Sequence, residues 1–197
     1  MRLAKFVPLA LALIAAPLAA QDAPPAAAPV KAPPPKLVVV ISVDQFSADL
    51  FAEYRNRFTG GFKRLLDGAV FPAGYQSHAA TETCPGHSTI MTGDRPTRTG
   101  IIANDWYEWA GPRPGSVYCA EDPSKGPAKD YVASDIHLRV PTLGERMKDA
   151  DPDVRTVSVA GKDRAAIMMG GHKVDQLWFW RDGKGFISYP AEPSPPR

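Results

Sequence analysis

The sequence has few of the residues that build metal clusters, and neither sign of charge dominates it. Two cysteines and four histidines occur among 197 residues, and neither cysteine belongs to a CxxC pair, so a local cysteine-based metal site is not expected. Of the 23 basic and 21 acidic residues, two basic ones fall within residues 1–20, which leaves 21 of each sign. Because basic runs are also absent, neither nucleic acid nor an anionic membrane is an expected partner.

The sequence also lacks an apolar run long enough for a comfortable membrane span, since the apolar stretch at residues 6–18 is short. Arg2 and Lys5 precede that stretch and small residues end it at Ala20, which is the pattern of a cleaved secretory signal at residues 1–20. A retained anchor is the alternative. The signal predicts a periplasmic or secreted protein that is not inserted in the membrane after cleavage.

The composition also divides the chain. Residues 21–36 consist mostly of alanine and proline, a composition that cannot bury a core, so we expect a linker there. One folded domain at residues 37–188 and a disordered tail at residues 189–197 complete the expected organisation. An oxidising compartment would allow Cys84 and Cys119 to pair, but the sequence does not show whether they lie within bridging distance.

The order of strand and helix patterns predicts an α/β fold with a mostly parallel sheet flanked by helices. The run LVVVISV at residues 37–43 is typical of a strand buried on both faces of such a sheet. A helix capped by Ser47 is expected to end at Gly60, and a second helix is expected at residues 62–67. The sheet is expected to be incomplete at the carboxyl end of the chain.

Further patterns lie after residue 93. Residues 93–135 contain five prolines and are expected to form irregular loops around the rim where parallel sheets bind ligands. Thr142 and Glu145 have capping-box spacing at a helix start. Residues 154–160 predict a strand, and residues 176–188 predict a hairpin.

The segment ATETCPGHSTIMTG at residues 80–93 contains the first candidate catalytic residue. Pro85 suits the first turn of a helix and Gly93 suits its end, so Thr83 or Cys84 is the expected N-cap. A hydroxyl at a helix N-terminus lies beside backbone donors that can hold a phosphate. Thr83 is therefore either a simple cap or a nucleophile.

Asp44 stands at the end of the first predicted strand. A divalent metal held there beside Thr83 would lower the pKa of the hydroxyl and make it a better nucleophile. The alternative is a solvated or helix-capping carboxylate. His87 is expected to fix the helix turn through a hydrogen bond rather than to bind metal.

Several motifs, in order, resemble the threonine-nucleophile alkaline phosphatases. They are VDQ at residues 43–45, TCPGH at 83–87, TG at 92–93, GIIAN at 100–104 and GKDR at 161–164. These enzymes belong to the alkaline phosphatase superfamily and are related to the type I phosphodiesterases and nucleotide pyrophosphatases. The resemblance covers residues 37 to about 186 and so concerns an amino-terminal portion of the family.

The resemblance implies roles for five residues. Thr83 would attack phosphorus and give a phosphothreonine that water hydrolyses, while Asp44 and the Thr83 oxygen would bind one of two catalytic zinc ions. Asn104, Lys162 and Arg164 would bind phosphate oxygens. A lysine and an arginine suit the extra charge of a monoester dianion, which a diester lacks.

The sequence departs from this family in its metal ligands. The Asp-x-x-x-His element, the Asp-His pair and the late histidine that supply most of them do not occur, and Asp44 with Thr83 alone would not hold two metals. We expect a fragment of a longer reading frame. A truncated, inactive gene product and a domain that needs a partner chain are the alternatives.

The leading functional hypothesis is a zinc-dependent phosphomonoesterase that acts on small phosphate monoesters. A phosphodiesterase or nucleotide pyrophosphatase would share Thr83 and Asn104 but would not need Lys162 and Arg164. A non-catalytic exported domain that binds phosphate or a partner is the second alternative.

Overall fold

The computed structural model describes residues 33–72 and 74–189. The predicted signal peptide at residues 1–20, residues 21–32 of the predicted linker and residues 190–197 of the predicted tail lie outside the described residues. Residues up to Val40 belong to a separate unit from Ile41 onward, and its described part, residues 33–40, contains no helix or strand. No helix within the described ranges is long and apolar enough to cross a membrane.

The predicted strand at residues 37–43 does not form. These residues carry no strand assignment, and their apolar side chains are exposed, with Leu37 at 77% and Ile41 at 65%. A strand buried on both faces needs hydrogen-bonded neighbours and covering helices, and none of the strands in the described residues pairs with this run. Apolar character alone therefore did not produce the expected strand.

Two short helices follow. Helix α1 (Ala48–Tyr54) begins where the Ser47 hydroxyl accepts a hydrogen bond from the Leu50 amide at 3.1 Å, which confirms the predicted cap. Helix α2 (Gly60–Leu65) follows a 3-10 turn (Arg55–Arg57). Neither helix contains a buried residue.

The predicted end of the first helix at Gly60 is wrong, because Gly60 begins α2 instead. The chain becomes extended at Phe58, which places the Phe58 ring 5.1 Å from the ring of Phe62. Phe46 and Phe51 join the same group at centroid distances of up to 6.3 Å. Aromatic packing thus accompanies a turn that helix periodicity did not predict.

Helix α3 (Thr83–Thr92) contributes to the buried core. Gly93 ends it at φ 73°, as predicted, since glycine adopts this left-handed conformation without strain. Its N-cap is Glu82 rather than Thr83 or Cys84, so Thr83 is the first helical residue. Pro85 still lies in the first turn, where its missing N–H costs no hydrogen bond.

The segment expected to be irregular contains a hairpin. Strand β1 (Asp105–Glu108) pairs antiparallel with β2 (Gly115–Tyr118). A one-turn helix α4 (Pro96–Thr99) precedes it, and a 3-10 turn (Ala128–Asp130) follows. The prolines lie outside the two strands, so the strands keep all their N–H donors.

The last part of the described chain forms the predicted α/β unit. Strand β3 (Val157–Ala160) runs parallel to β4 (Gln176–Arg181), and helix α6 (Asp163–Gly170) lies between them in sequence. Strand β5 (Gly185–Ser188) adds an antiparallel neighbour to β4. The α/β class and the predicted hairpin are therefore confirmed. The sheet formed by β3, β4 and β5 contains one parallel and one antiparallel pair of strands.

Helix α5 (Leu143–Ala150) precedes β3 and has the predicted capping box between Thr142 and Glu145. Helix α3 packs against α6. The buried core around them is mostly aliphatic, with sulfur-containing residues; it comprises Cys84, Ile101, Cys119, Ala120, Leu138, Ala166, Ile167, Met168, Leu177 and Phe179. This core holds the elements that carry most of the candidate site.

Candidate active site

Thr83 lies at the start of α3 with its hydroxyl already engaged. Its Oγ1 donates a hydrogen bond to Asp44 Oδ2 at 3.1 Å. The Thr83 carbonyl oxygen accepts from His87 Nδ1 at 2.8 Å, so His87 fixes the helix turn as predicted. Because the first helical N–H groups have no partner within the helix, this end of α3 also presents backbone donors.

Asn104 is held against the same helix end. Its side-chain Oδ1 accepts from the Cys84 amide at 2.9 Å. Its backbone is fixed on both sides, because its amide donates to Glu82 Oε2 at 2.6 Å and its carbonyl accepts from the Cys119 amide at 2.8 Å. The carboxamide orientation that results leaves Nδ2 as its donor end, and sequence reasoning had not predicted the contribution of Glu82.

A disulfide joins the two segments that carry these contacts. Cys84 and Cys119 are bonded, with Cα atoms 6.5 Å apart, within the usual range for a bridge. Both cysteines are fully buried. The bond connects the residue after Thr83 to the residue after Tyr118, so it links the start of α3 to the end of β2.

Lys162 and Arg164 lie where β3 turns into α6. Lys162 is the exposed N-cap of α6, and Arg164 is its second residue, half-buried, with Nη1 3.4 Å from Tyr118 Oη. The two cations are therefore two positions apart in the turn from strand to helix. The Lys162 carbonyl accepts a hydrogen bond from the Ala166 amide at 3.2 Å, but its side chain makes no hydrogen bond or ion pair with the described residues.

The candidate residues are thus connected to different degrees. Thr83, Asp44 and Asn104 meet through direct hydrogen bonds at the start of α3. Arg164 is connected to them through Tyr118 and the Cys84–Cys119 bond. Only Lys162 is without such a link in the described part of the chain.

The donor set for a metal is incomplete. Within residues 33–72 and 74–189, no group of three or more histidine, cysteine, aspartate or glutamate side chains is placed to hold a metal ion. Asp44 and Thr83 supply two oxygen atoms, whereas zinc in proteins usually takes four ligands. The described residues do not by themselves fit a zinc site.

Two other histidines, His172 and His137, have structural contacts. His172 Nε2 donates to the Leu138 carbonyl at 2.8 Å, and its Nδ1 lies 3.1 Å from Glu145 Oε1. His137 packs edge-on against Trp106 at 5.0 Å, and burial lowers its pKa. Neither histidine approaches the start of α3 through any of these contacts.

Comparison with known proteins identifies the family. The model of the type I phosphodiesterase/nucleotide pyrophosphatase family matches residues 38–194. The chain belongs to this family. It is 65% identical over 164 residues to alkaline phosphatase PhoK of Sphingomonas sp. and 62% identical over 149 residues to alkaline phosphatase PhoD of Zymomonas mobilis. The predicted resemblance to alkaline phosphatases is therefore confirmed.

These similarities cover most of this chain but a minor part of its relatives. The alignments include 81% and 75% of this chain, and 29% and 26% of PhoK and PhoD. Wild-type alkaline phosphatase PafA superposes with a TM-score of 0.66 at 29% identity, over 78% of this chain and 31% of PafA. A PafA mutant with four substitutions superposes with a TM-score of 0.67 at 27% identity. Both confirm the α/β fold.

Proposed function

We propose that this chain forms the nucleophile- and phosphate-binding part of an alkaline phosphatase that hydrolyses small phosphate monoesters through a phosphothreonine. The observation that carries the proposal is the arrangement at the start of α3. There the Thr83 hydroxyl meets Asp44, and the Cys84 amide fixes Asn104. A hydroxyl and an amide donor at a helix N-terminus suit attack on phosphorus and stabilisation of the phosphate oxygens.

Each residue has a defined part in the proposed reaction. The hydrogen bond to Asp44 holds the Thr83 proton on one side of the hydroxyl, which leaves the oxygen lone pairs for phosphorus. The Thr83 oxygen forms a bond to phosphorus while its proton passes to Asp44 Oδ2, and the ester oxygen leaves with its electron pair and takes a proton from water. Water later cleaves the phosphothreonine, which releases inorganic phosphate and restores the Thr83 hydroxyl. Asn104 Nδ2 donates to a non-bridging oxygen throughout.

One of the solved PafA structures supports this assignment. In that mutant, a threonine, an asparagine, a lysine and an arginine are replaced, in this order along the chain. The proposed residues of the present chain, Thr83, Asn104, Lys162 and Arg164, are the same four types in the same order.

Lys162 and Arg164 are proposed to select monoesters. A monoester dianion carries more negative charge on its unesterified oxygens than a diester, and a guanidinium binds two such oxygens in a fork. The family match also favours a second candidate, a phosphodiesterase or nucleotide pyrophosphatase. That activity would need Thr83 and Asn104 but not the two cations.

The proposed cofactor is zinc, with Asp44 and the Thr83 oxygen among its ligands. Zinc supplies Lewis-acid stabilisation of the attacking and leaving oxygens when it is bound. The two ligands do not complete a site, so the roles derived above for this chain's residues do not depend on metal geometry. The amino-terminal sequence further supports export to the periplasm or the medium.

A chimera tests the proposal, because the chain spans 29% of PhoK. The aligned segment of PhoK is replaced by the corresponding segment of this chain, and hydrolysis of p-nitrophenyl phosphate is compared with that of bis-p-nitrophenyl phosphate. We expect the monoester to be hydrolysed faster, and chelation followed by zinc addition to remove and restore the activity. Faster diester hydrolysis would favour the second candidate.

Arg164→Ala in the same chimera separates the two candidates further. We expect kcat/KM for the monoester to fall about 100-fold and that for the diester to fall only a few-fold, because only the monoester loses a charge partner. Equal losses would contradict the assignment of Arg164. Phosphate binding by the 197-residue chain without turnover in the chimera would indicate a non-catalytic domain.

A further inference from the structure

A buried carboxylate with two tyrosine partners lies beside Arg164. Asp163, the first residue of α6, is 7% exposed. Its Oδ1 accepts a hydrogen bond from Tyr118 Oη at 2.8 Å, and its Oδ2 accepts a short one from Tyr131 Oη. Because a buried carboxylate is costly without partners, these two hydroxyls, together with the Arg164 amide that donates to Oδ1 at 2.7 Å, satisfy both of its side-chain oxygens.

Tyr118 also contacts Arg164, whereas Tyr131 has no such contact. Arg164 Nη1 donates to Tyr118 Oη at 3.4 Å, and its guanidinium carbon lies 6.0 Å from the centre of the Tyr118 ring. A phenol has one proton to donate, so a Tyr118 hydroxyl that donates to Asp163 turns its lone pairs toward Arg164. The Asp163 carboxylate therefore orients the Tyr118 hydroxyl, and the oriented hydroxyl oxygen accepts the hydrogen bond from the Arg164 guanidinium.

Burial favours the protonated form of both phenols, which is the form that donates. Burial raises the pKa of Tyr118 well above its ordinary value, although the hydrogen bond from Arg164 opposes this shift. Burial, together with the Asp163 carboxylate, raises the pKa of Tyr131 to about 12. The two rings pack edge to face at 5.0 Å, so neither is free to turn away from Asp163.

The guanidinium has an unused donor. Arg164 Nε is shielded from solvent and has no hydrogen-bond partner among the described residues. Buried donors in folded proteins are almost always paired. An oxygen of a bound phosphate is a chemically suitable partner, because Nε and one Nη nitrogen form the fork that binds two phosphate oxygens.

We propose that Tyr118 is a positioning residue, which holds one edge of the Arg164 guanidinium so that its remaining donors meet the phosphate dianion. This proposal rests on the proposed function, in which Arg164 binds phosphate. It goes further by assigning the monoester preference to a chain of contacts from Asp163 through Tyr118 to Arg164. Tyr131 donates to the same carboxylate but has Arg181 rather than Arg164 as its cationic neighbour, so it is the matched control.

The test uses the 197-residue chain and needs no catalysis. Affinities for methyl phosphate, a dianion at pH 8.5, and for dimethyl phosphate, a monoanion, are measured by NMR titration. We expect Tyr118→Phe to weaken methyl phosphate binding about tenfold and to leave dimethyl phosphate binding nearly unchanged. Tyr131→Phe, which removes the same group from the same carboxylate, should change either affinity less than about twofold.

A double-mutant comparison excludes a purely structural effect. In an Arg164→Ala background, Tyr118→Phe should cause no further loss of methyl phosphate binding, because the group that it positions is gone. Equal losses for Tyr118→Phe and Tyr131→Phe, or a full loss in the Arg164→Ala background, would overturn the proposal. Urea unfolding midpoints of all variants show whether their folds are comparable.

Two other outcomes remain informative. If Tyr118→Phe does not fold, Arg164→Lys tests the contact between Tyr118 and Arg164 from the arginine side. Lysine keeps the positive charge but lacks the guanidinium nitrogens that contact Tyr118. An unchanged ratio of the two affinities would then overturn the proposal. If Arg164→Ala itself leaves methyl phosphate binding unchanged, the proposed function of Arg164 fails, and this failure is distinct from a failure of Tyr118 to position it.

Discussion

Thr83 and Asp44 share one hydrogen bond but belong to differently built parts of the molecule. Thr83 begins a helix in which residues 84–88 are buried, and one of these residues, Cys84, is joined to Cys119 by a disulfide. Asp44 is exposed, in a segment followed by two helices that contain no buried residue. The difference indicates that the described core fixes the proposed nucleophile Thr83 and its neighbour Asn104, whereas it does not fix the proposed metal ligand Asp44.

The largest expected effect concerns the buried side of this comparison. Thr83→Ala in the PhoK chimera should lower monoester turnover at least about 1000-fold, because it removes the attacking oxygen. The exposed Thr81 provides the matched control, and Thr81→Ala should leave turnover unchanged. Turnover that survives in Thr83→Ala would place the nucleophile elsewhere.

The disulfide should dominate the stability of the same region. Its loop spans 35 residues, for which chain entropy predicts a loss of about 4 kcal/mol when the bond is absent. Urea unfolding of the 197-residue chain should show this loss for Cys84→Ala. Wild-type protein under reducing conditions should lose a similar amount, and resistance to reduction together with a stable variant would contradict this role.

Truncation of single side chains should distinguish the buried core from the amino-terminal helices, and its effect on the unfolding free energy should be smaller than that of losing the disulfide. Ile167→Ala in α6 removes a side chain that is 0% exposed and should cost about 3 kcal/mol. Leu65→Ala in α2, where the side chain is 59% exposed, should cost less than about 0.5 kcal/mol. Similar unfolding free energies for the two variants would show that the amino-terminal helices are packed more tightly than described.

The smallest expected effect is a pH dependence near β3. Burial of Asp175 disfavours its charge, but hydrogen bonds from Lys148, the Thr156 amide and Arg155 outweigh burial and hold its pKa well below its ordinary value. Because the folded pKa is lower, the stabilisation is present above the unfolded pKa of about 4 and is lost as pH falls below it. Asp175→Asn should be about 1–2 kcal/mol less stable at pH 7, and this difference should shrink under acid in urea titrations.

Local features of the fold could be predicted from the sequence. The Ser47 cap, the Thr142–Glu145 capping box and the carboxyl-terminal hairpin all depend on residues close in sequence. The strand predicted at residues 37–43 does not form, because a buried strand depends on partners that a local pattern does not contain. The β1–β2 hairpin was not predicted either, because the prolines of residues 93–135 indicated irregular loops. In the structure these prolines lie beside the two strands rather than within them.

The candidate site was predictable to a comparable extent. The motifs indicated Thr83, Asn104 and Arg164, and their roles stay predictions. The partnership of Tyr118 with Asp163 joins residues 45 positions apart, and no local spacing signals it. The Cys84–Cys119 pair could be named from the sequence, but its distance could not.

Direct detection of the phosphorylated residue tests the central assignment. The PhoK chimera is quenched in acid while it hydrolyses p-nitrophenyl phosphate, and its peptides are mapped by mass spectrometry. Phosphate should be found on Thr83 and should be absent from Thr83→Ala. Phosphate on another residue, or continued turnover by Thr83→Ala, would contradict the assignment of Thr83 as the nucleophile.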